Sequence, residues 1–437
     1  MLRILFLFIA CSVSYAQYEV KIELDKSDGI YRSGEIVKGM VKVFSNKTPV
    51  NAFSGKYQIV FEKQVLSTKE AEIDDNPLIL EHQSDVPGWV YFSFELTSAD
   101  GKAVDGDKKI LGEAGAIFDP DRIVATDSMP EDFVAYWQKF RKELDKVPVK
   151  AKLEPVELPE KYKGKVICQA VTVDCLSKYP VTGYLMTPAD HQGKKLPAFV
   201  LFQSHMMTDC NKAPGASIAM RNAIVLQITW HGLPVNQPKD FYVKTLRSKD
   251  YYPPADGDRE GPVNAQILYW HDVFMRVMRA LDYIKTRPEW NGIDLIIKGG
   301  SLGGAQAIAA AALESNVTIA LVDVPAFCEL QAWRKGRQTG FRGVPAALLK
   351  DERAAKAMAY YDGVNFARLI RCPIYVCTGF TDNICYPSNV LAFYNAIPQE
   401  TEKYLTTNPY TGHGGQTYNL LGEKCLDKFF RERASNR

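Results

Sequence analysis

At 437 residues the chain exceeds one ordinary domain of about 100–200 residues. Apolar residues make up 46% and charged residues 24%, which excludes a largely disordered or collagen-like chain. Lys plus Arg is 53 against 51 Asp plus Glu, and a net charge of +2 offers no global electrostatic reason to bind nucleic acid or an acidic membrane.

The chain opens with Arg3, a short apolar run from Ile4 to Ala10, and Ser14-Tyr-Ala16. This is the tripartite pattern of a secretory signal, so residues 1–16 are expected to be removed, leaving Gln17 first and the protein in the periplasm or outside the cell. The run is shorter than the roughly 20 apolar residues of a spanning helix, and no other segment reaches that length, so no membrane span is expected. Cys11 follows Phe8-Ile-Ala, a poor match to a lipid-anchoring box. The other eight cysteines are irregularly spaced and lack a Cys-x-x-Cys pair, so they read as buried thiols rather than a zinc site.

Residues 17–122 carry short alternating runs, at Tyr18–Leu24, Gly39–Phe44, Lys56–Phe61 and Trp89–Leu96, separated by polar turns. Period-two alternation at this spacing predicts a small all-β, sandwich-like domain. Residues 117–131, with two prolines and four acids, read as a linker. From about 123 to 437 the texture changes. A helix is predicted from Pro130, with Phe133, Trp137, Phe140 and Leu144 at helical spacing. Two β runs follow, at 165–173 and 179–186. Apolar strands at 198–202, 223–229, 295–298, 317–322, 373–378 and 403–407 then alternate with helical stretches, the longest being Gln266–Thr286. That alternation predicts an α/β domain around a mostly parallel sheet.

The sharpest motif is Gly299-x-Ser301-x-Gly303, between an apolar strand and an Ala-rich stretch. Strand, tight glycine turn and helix are what a nucleophile elbow of an α/β-hydrolase requires, which makes Ser301 the candidate nucleophile. A serine needs a general base, and the base needs an orienting acid, in the chain order Ser, Asp or Glu, His. Of six histidines only His413 lies downstream of Ser301, in the loop Tyr410-Thr-Gly-His-Gly-Gly. The acid should follow the preceding strand, which favours Asp382 over its rival Asp323. The oxyanion hole would take the Leu302 backbone N–H and a second one from Ser204 or His205, of which His205 is preferred. His205 and His231 also read as pocket residues. No metal-binding His-Glu-x-x-His, Walker loop or dinucleotide fingerprint occurs, so neither metal nor cofactor is expected.

Residues 128–434 resemble the acetyl xylan esterase and cephalosporin-C deacetylase family, carbohydrate esterase family seven. Four segments carry the resemblance: Pro130-Glu-Asp-Phe-x-x-Tyr-Trp, Asp282–Glu289 followed by Gly299–Ala305, Val322–Cys328, and Thr381–Ile397. The resemblance implies a metal-free α/β-hydrolase, a triad at Ser301, Asp382 and His413, and acetylated xylo-oligosaccharides or other small acyl esters as substrates. It also implies homo-oligomers, although the N-terminal module lies outside the usual short members and stands against their hexamer. Three positions depart from the family pattern. Leu302 replaces Gln, Gln203-Ser-His205 stands at the His-Gly-Tyr loop, and His231-Gly-Leu233 stands at Arg-Gly-Gln. A peptidase of the same fold, an esterase for other acyl groups and a non-catalytic carbohydrate-binding protein are the competing readings.

Overall fold

The computed structural model describes residues 18–73, 77–97, 109–126, 128–248, 251, 262–341, 352–413 and 419–435. The leader and Cys11 lie outside the described residues. Strands β1 (Tyr18–Leu24), β2 (Ile30–Tyr31), β3 (Ile36–Ser45), β4 (Thr48–Val50), β5 (Phe53–Phe61), β6 (Gln64–Ile73), β7 (Leu78–Gln83), β8 (Gly88–Thr97) and β9 (Ile110–Phe118) form the N-terminal region. They make a four-stranded sheet of β1, β3, β4 and β7, and a five-stranded sheet ordered β2-β9-β8-β5-β6. Alternation sends Val20, Ile22, Val37, Val41 and Val43 of the first sheet inward against Val90, Phe92 and Phe94 of the second.

The rest of the chain builds around one nine-stranded sheet. Its strands are β10 (Ala151–Pro155), β11 (Val166–Val173), β12 (Val181–Pro188), β13 (Leu196–Phe202), β14 (Ile224–Ile228), β15 (Trp290–Gly300), β16 (Ile319–Asp323), β17 (Ile374–Gly379) and β18 (Lys403–Asn408). The order is β10-β11-β12-β14-β13-β15-β16-β17-β18. Pairing is antiparallel from β10 to β14 and parallel from β14 to β18. The helices are α1 (Phe133–Asp145), α2 (Lys212–Ala219), α3 (Lys239–Leu246), α4 (Pro262–Lys285), α5 (Leu302–Leu313), α6 (Glu352–Met358), α7 (Gly363–Ala367), α8 (Pro387–Ala396) and α9 (Leu420–Ser435). In α4, Trp270, Phe274, Val277, Leu281 and Ile284 form a buried stripe at helical spacing. Every residue from Leu302 to Ala311 of α5 is buried, as a helix made of small apolar residues must be when it is enclosed on all sides.

Two expectations shift. Helix α1 starts at Phe133 rather than Pro130, whose carbonyl accepts the Phe133 N–H in a preceding turn. The predicted linker is no loose tether. Ile117 and Phe118 end β9, and Ile123 is buried in the main core. Its prolines and acids marked a break in regular structure, which is a different matter from exposure.

The two regions share a polar seam. Glu62, at the end of the β5 hairpin arm, is buried. Its Oε1 accepts the Trp89 N–H at 2.8 Å, and its Oε2 accepts the Ser388 hydroxyl of α8 at 2.9 Å. Burial pushes the Glu62 carboxyl up to about 7, against the lowering effect of these two donors and of Arg337. The folded chain therefore holds a proton that the unfolded chain releases from its ordinary value of 4.5 upward. The stabilisation is complete below that value and is lost as pH rises through about 7. Glu62→Gln, which stays neutral, should match the parent at pH 5 and exceed it at pH 8 by about 1–3 kcal/mol in denaturant unfolding.

Candidate active site

Four strand ends of the parallel half deliver the predicted residues to one edge of the sheet. Residues 203–208 follow β13, Ser301 follows β15, Asp382 follows β17 and His413 follows β18. In open α/β sheets the crevice at the carboxyl ends of the strands is where ligands bind.

Ser301 sits between β15 and α5 with φ 56° and ψ −122°, outside the regions L residues favour. Its N–H donates to the Asp323 carbonyl at 2.9 Å, and its own carbonyl accepts from Ala326 at 2.9 Å and Ala305 at 3.1 Å. The glycines make this turn sterically feasible. A Cβ on Gly299 would lie 2.0 Å from the Gly303 carbonyl oxygen, and one on Gly303 would lie 2.3 Å from the Phe202 carbonyl oxygen. Both positions thus let the first turn of α5 lie directly on the ends of β15 and β13.

The His413 ring stands between the serine and the acid. Its Nε2 is 2.9 Å from Ser301 Oγ, and its Nδ1 is 2.9 Å from Asp382 Oδ2. With Nδ1–H donating to the carboxylate, Nε2 is left to accept the serine hydroxyl. Asp382 is fully buried, and its Oδ1 accepts the Ile384 and Cys385 N–H groups, each at 2.9 Å. These donors hold the carboxylate in place beside the ring. The rival Asp323 lies elsewhere in the constellation. Its carbonyl takes the Ser301 N–H, while its Oδ1 accepts from Asn419 at 3.0 Å and from the Cys377 thiol at 3.5 Å.

The loop after β13 lies against the elbow, with the Ser204 hydroxyl donating to the Gly300 carbonyl at 2.9 Å. Leu302 opens α5, where the first N–H groups have no partner within the helix and the dipole favours negative charge. No backbone hydrogen bond among the described residues uses the His205 N–H. His205 is exposed overall, yet its ring tilts against Trp230 at 4.6 Å, and desolvation there lowers its pKa. His231 is fully buried. Its Nδ1 accepts the Leu233 N–H at 3.0 Å, and its Nε2 lies 3.3 Å from the Thr208 carbonyl. Burial lowers its pKa to about 4, so it remains a neutral brace of the 203–208 loop.

Sequence reasoning missed several neighbours of the site. Gln306, one turn into α5, donates to the Gln203 carbonyl at 3.0 Å and so ties that loop to the elbow helix. The Trp230 indole donates to the Met206 carbonyl at 2.9 Å. The Cys385 thiol touches the Ser301 side chain, and burial drives its pKa well up, which keeps it protonated and a poor competing nucleophile. These residues have no motif of their own, and only the identity of Gln306 as a polar residue in an Ala-rich helix carried any signal. Among the described residues no disulfide joins the eight cysteines, five of which are buried. No group of three or more His, Cys, Asp or Glu among the described residues could hold a metal ion, and no described helix is long and apolar enough to cross a membrane.

Because a Cβ at position 303 meets backbone rather than a flexible side chain, the helix and β13 must part to accept it. Gly303→Ala should therefore destabilise the fold by about 1–3 kcal/mol, read as a lower denaturant midpoint at unchanged m-value.

The chain is similar to known proteins in both sequence and fold. The acetyl xylan esterase (AXE1) family model matches residues 122–425. The acetyl esterase Axe7A of Xylanibacter ruminicola is 26% identical over 309 residues, covering 70% of this chain and 68% of its own length. The structure of an acetyl xylan esterase from a Paenibacillus species superposes with a TM-score of 0.59 at 22% identity, over 72% of this chain and 98% of that one. Acetyl xylan esterase 1 from a Thermoanaerobacterium species gives 0.58 at 18% identity, over 71% and 97%. At such identities the two structures establish the α/β-hydrolase fold. With the family match spanning most of the chain, the protein belongs to the acetyl xylan esterase family.

Proposed function

We propose that the protein is an exported serine esterase that removes acetyl groups from carbohydrates such as acetylated xylan or xylo-oligosaccharides. Family membership supports an esterase acting on acetylated carbohydrates, and the observation that carries the serine mechanism is the continuous relay from Ser301 Oγ through His413 to Asp382, two bonds of 2.9 Å each. Ser301 attacks the acetyl carbonyl while His413 Nε2 takes its proton. The carbonyl oxygen gains negative charge, which the Leu302 and His205 N–H groups stabilise. The C–O bond to the sugar breaks, and His413 returns the proton to the departing alcohol. A water molecule, deprotonated by the same imidazole, then attacks the acetyl-enzyme. Acetate leaves and Ser301 regains its hydrogen. Asp382 holds the ring in the tautomer that accepts at Nε2 and stabilises the imidazolium.

The near-neutral net charge suits an uncharged acetylated sugar. Export rests on the leader pattern of residues 1–16, and amino-terminal sequencing of the mature chain from the periplasm or medium should read Gln17 first.

Ser301→Ala should lower kcat on an aryl acetate by about a thousandfold or more with the fold intact, and it should abolish labelling by a serine-directed phosphonate. Acetyl esters should turn over faster than longer acyl esters and far faster than peptide amides. Faster amide cleavage would replace this reading with a peptidase.

A further inference from the structure

The relay depends on two loops, and both are bound to the N-terminal β region. The acid loop leaves β17 at Gly379 and enters α8 at Pro387. Trp89, on β8, holds it on both sides of Asp382. The indole N–H donates to the Phe380 carbonyl at 2.7 Å, two residues before the acid. The ring packs against Tyr386, four residues after it, with centroids 5.9 Å apart. Trp89 is itself 2% exposed, and its backbone is paired with Glu62 through N–H to Oε1 and through the Glu62 N–H to the Trp89 carbonyl.

The base loop leaves β18 at Asn408, and Gly115 of β9 holds its start. The Gly115 N–H donates to the Pro409 carbonyl at 2.8 Å, four residues before His413. The Leu24 N–H donates to the Tyr410 hydroxyl at 3.1 Å. Gly115 also abuts the acid loop, since a Cβ there would lie 1.8 Å from the Phe380 carbonyl oxygen. The two loops are joined to each other by the Thr381 N–H, which donates to the Thr411 carbonyl at 3.1 Å, and by the Phe380 N–H, which donates to the Asn408 carbonyl at 2.7 Å.

We infer that Trp89 and Gly115 are positioning residues for the reaction, so that the β region is a structural wall of the active centre rather than an attached accessory. The inference rests on the Ser301–His413–Asp382 reading above. Phe380 is buried, and its carbonyl needs a partner wherever water is excluded. A tryptophan can supply that partner from a neighbouring sheet because its single N–H lies at the far edge of a large apolar ring. Loss of the bond frees Phe380 to move, and with it the acid two residues on. Misplacement by about 1 Å can cost a hundredfold in rate.

The deciding variant replaces Trp89 by its benzothienyl analogue, introduced at an amber codon in the full-length chain. Sulfur takes the place of the N–H, and ring size and packing are kept. 7-Azatryptophan at the same position retains the N–H and is the rescue. Trp89→Phe and Gly115→Ala accompany them, and Ser301→Ala is the control. The sulfur analogue should melt within a few degrees of the parent and lose about tenfold or more in kcat on an aryl acetate. KM should hold within about twofold, and the acid limb of the kcat–pH profile should move, because a loosened Asp382 stabilises the imidazolium less. Azatryptophan should restore kcat and the profile. A folded sulfur analogue with parental kcat and pH profile would overturn the positioning role. Parental activity in Ser301→Ala would instead overturn the serine reading itself, whatever the variants at position 89 do.

Discussion

Ser301 is held at φ 56° and ψ −122°, a geometry that costs an ordinary residue about 1–3 kcal/mol and persists only where its surroundings over-determine it. Those surroundings are specific. Asp323 takes its N–H, Ala305 and Ala326 donate to its carbonyl, and Gly299 and Gly303 remove the side chains that would hold α5 away from the sheet. The turn aims the hydroxyl out of the sheet edge at the point where the β17 and β18 loops converge. It also places the start of α5 beside the 203–208 loop, so that Ser301 and the Leu302 N–H, the nucleophile and one of the two oxyanion donors proposed above, are set by one piece of backbone. Gln306 reinforces the arrangement by binding the Gln203 carbonyl from within α5.

Around this point the protein uses buried polar groups as braces. His231 is neutral and uses both ring nitrogens to hold backbone. Asp362 is buried and accepts the Glu329, Leu330 and Val364 N–H groups, with its pKa raised to about 7 by burial. Glu329 in turn binds Arg337, Thr126 and Asn389. Asn389 and Ser388 open α8, immediately after the acid loop, so Glu329 and Glu62 grip the same helix start from the two sides of the seam. Burial raises the pKa of all three carboxyl groups in spite of their donors, so loss of any donor adds to the cost and the seam is intolerant of slippage.

Much of the architecture was legible because the physics is local. Alternation marked β1, β3, β5 and β8, and unbroken apolar runs marked the parallel strands. Strands β6, β7 and β9 were not marked. β6 is an edge strand with an exposed, charged face, and β9 is rich in Gly and Ala, so neither alternates strongly. Helix α5 was legible because its alanines follow a glycine turn. The proximity of Cys385, Trp230 and Gln306 to the site was not legible, since each reaches it through a contact between chain segments far apart in sequence.

By itself the sequence determined the alternation of strands and helices after residue 123, the elbow at Ser301, and His413 as the single downstream histidine, since these follow from periodicity, glycine placement and elimination. It favoured Asp382 but kept Asp323 as a rival, because both end an apolar strand. The tertiary structure shows the contacts themselves, bringing β18 alongside β17 so that the His413 ring meets Asp382, while Asp323 turns to Asn419 and Cys377. It likewise decided where the N-terminal strands sit. The bonds from Trp89 to Phe380 and from Gly115 to Pro409 join residues hundreds of positions apart, and no local pattern encodes a backbone carbonyl as a partner.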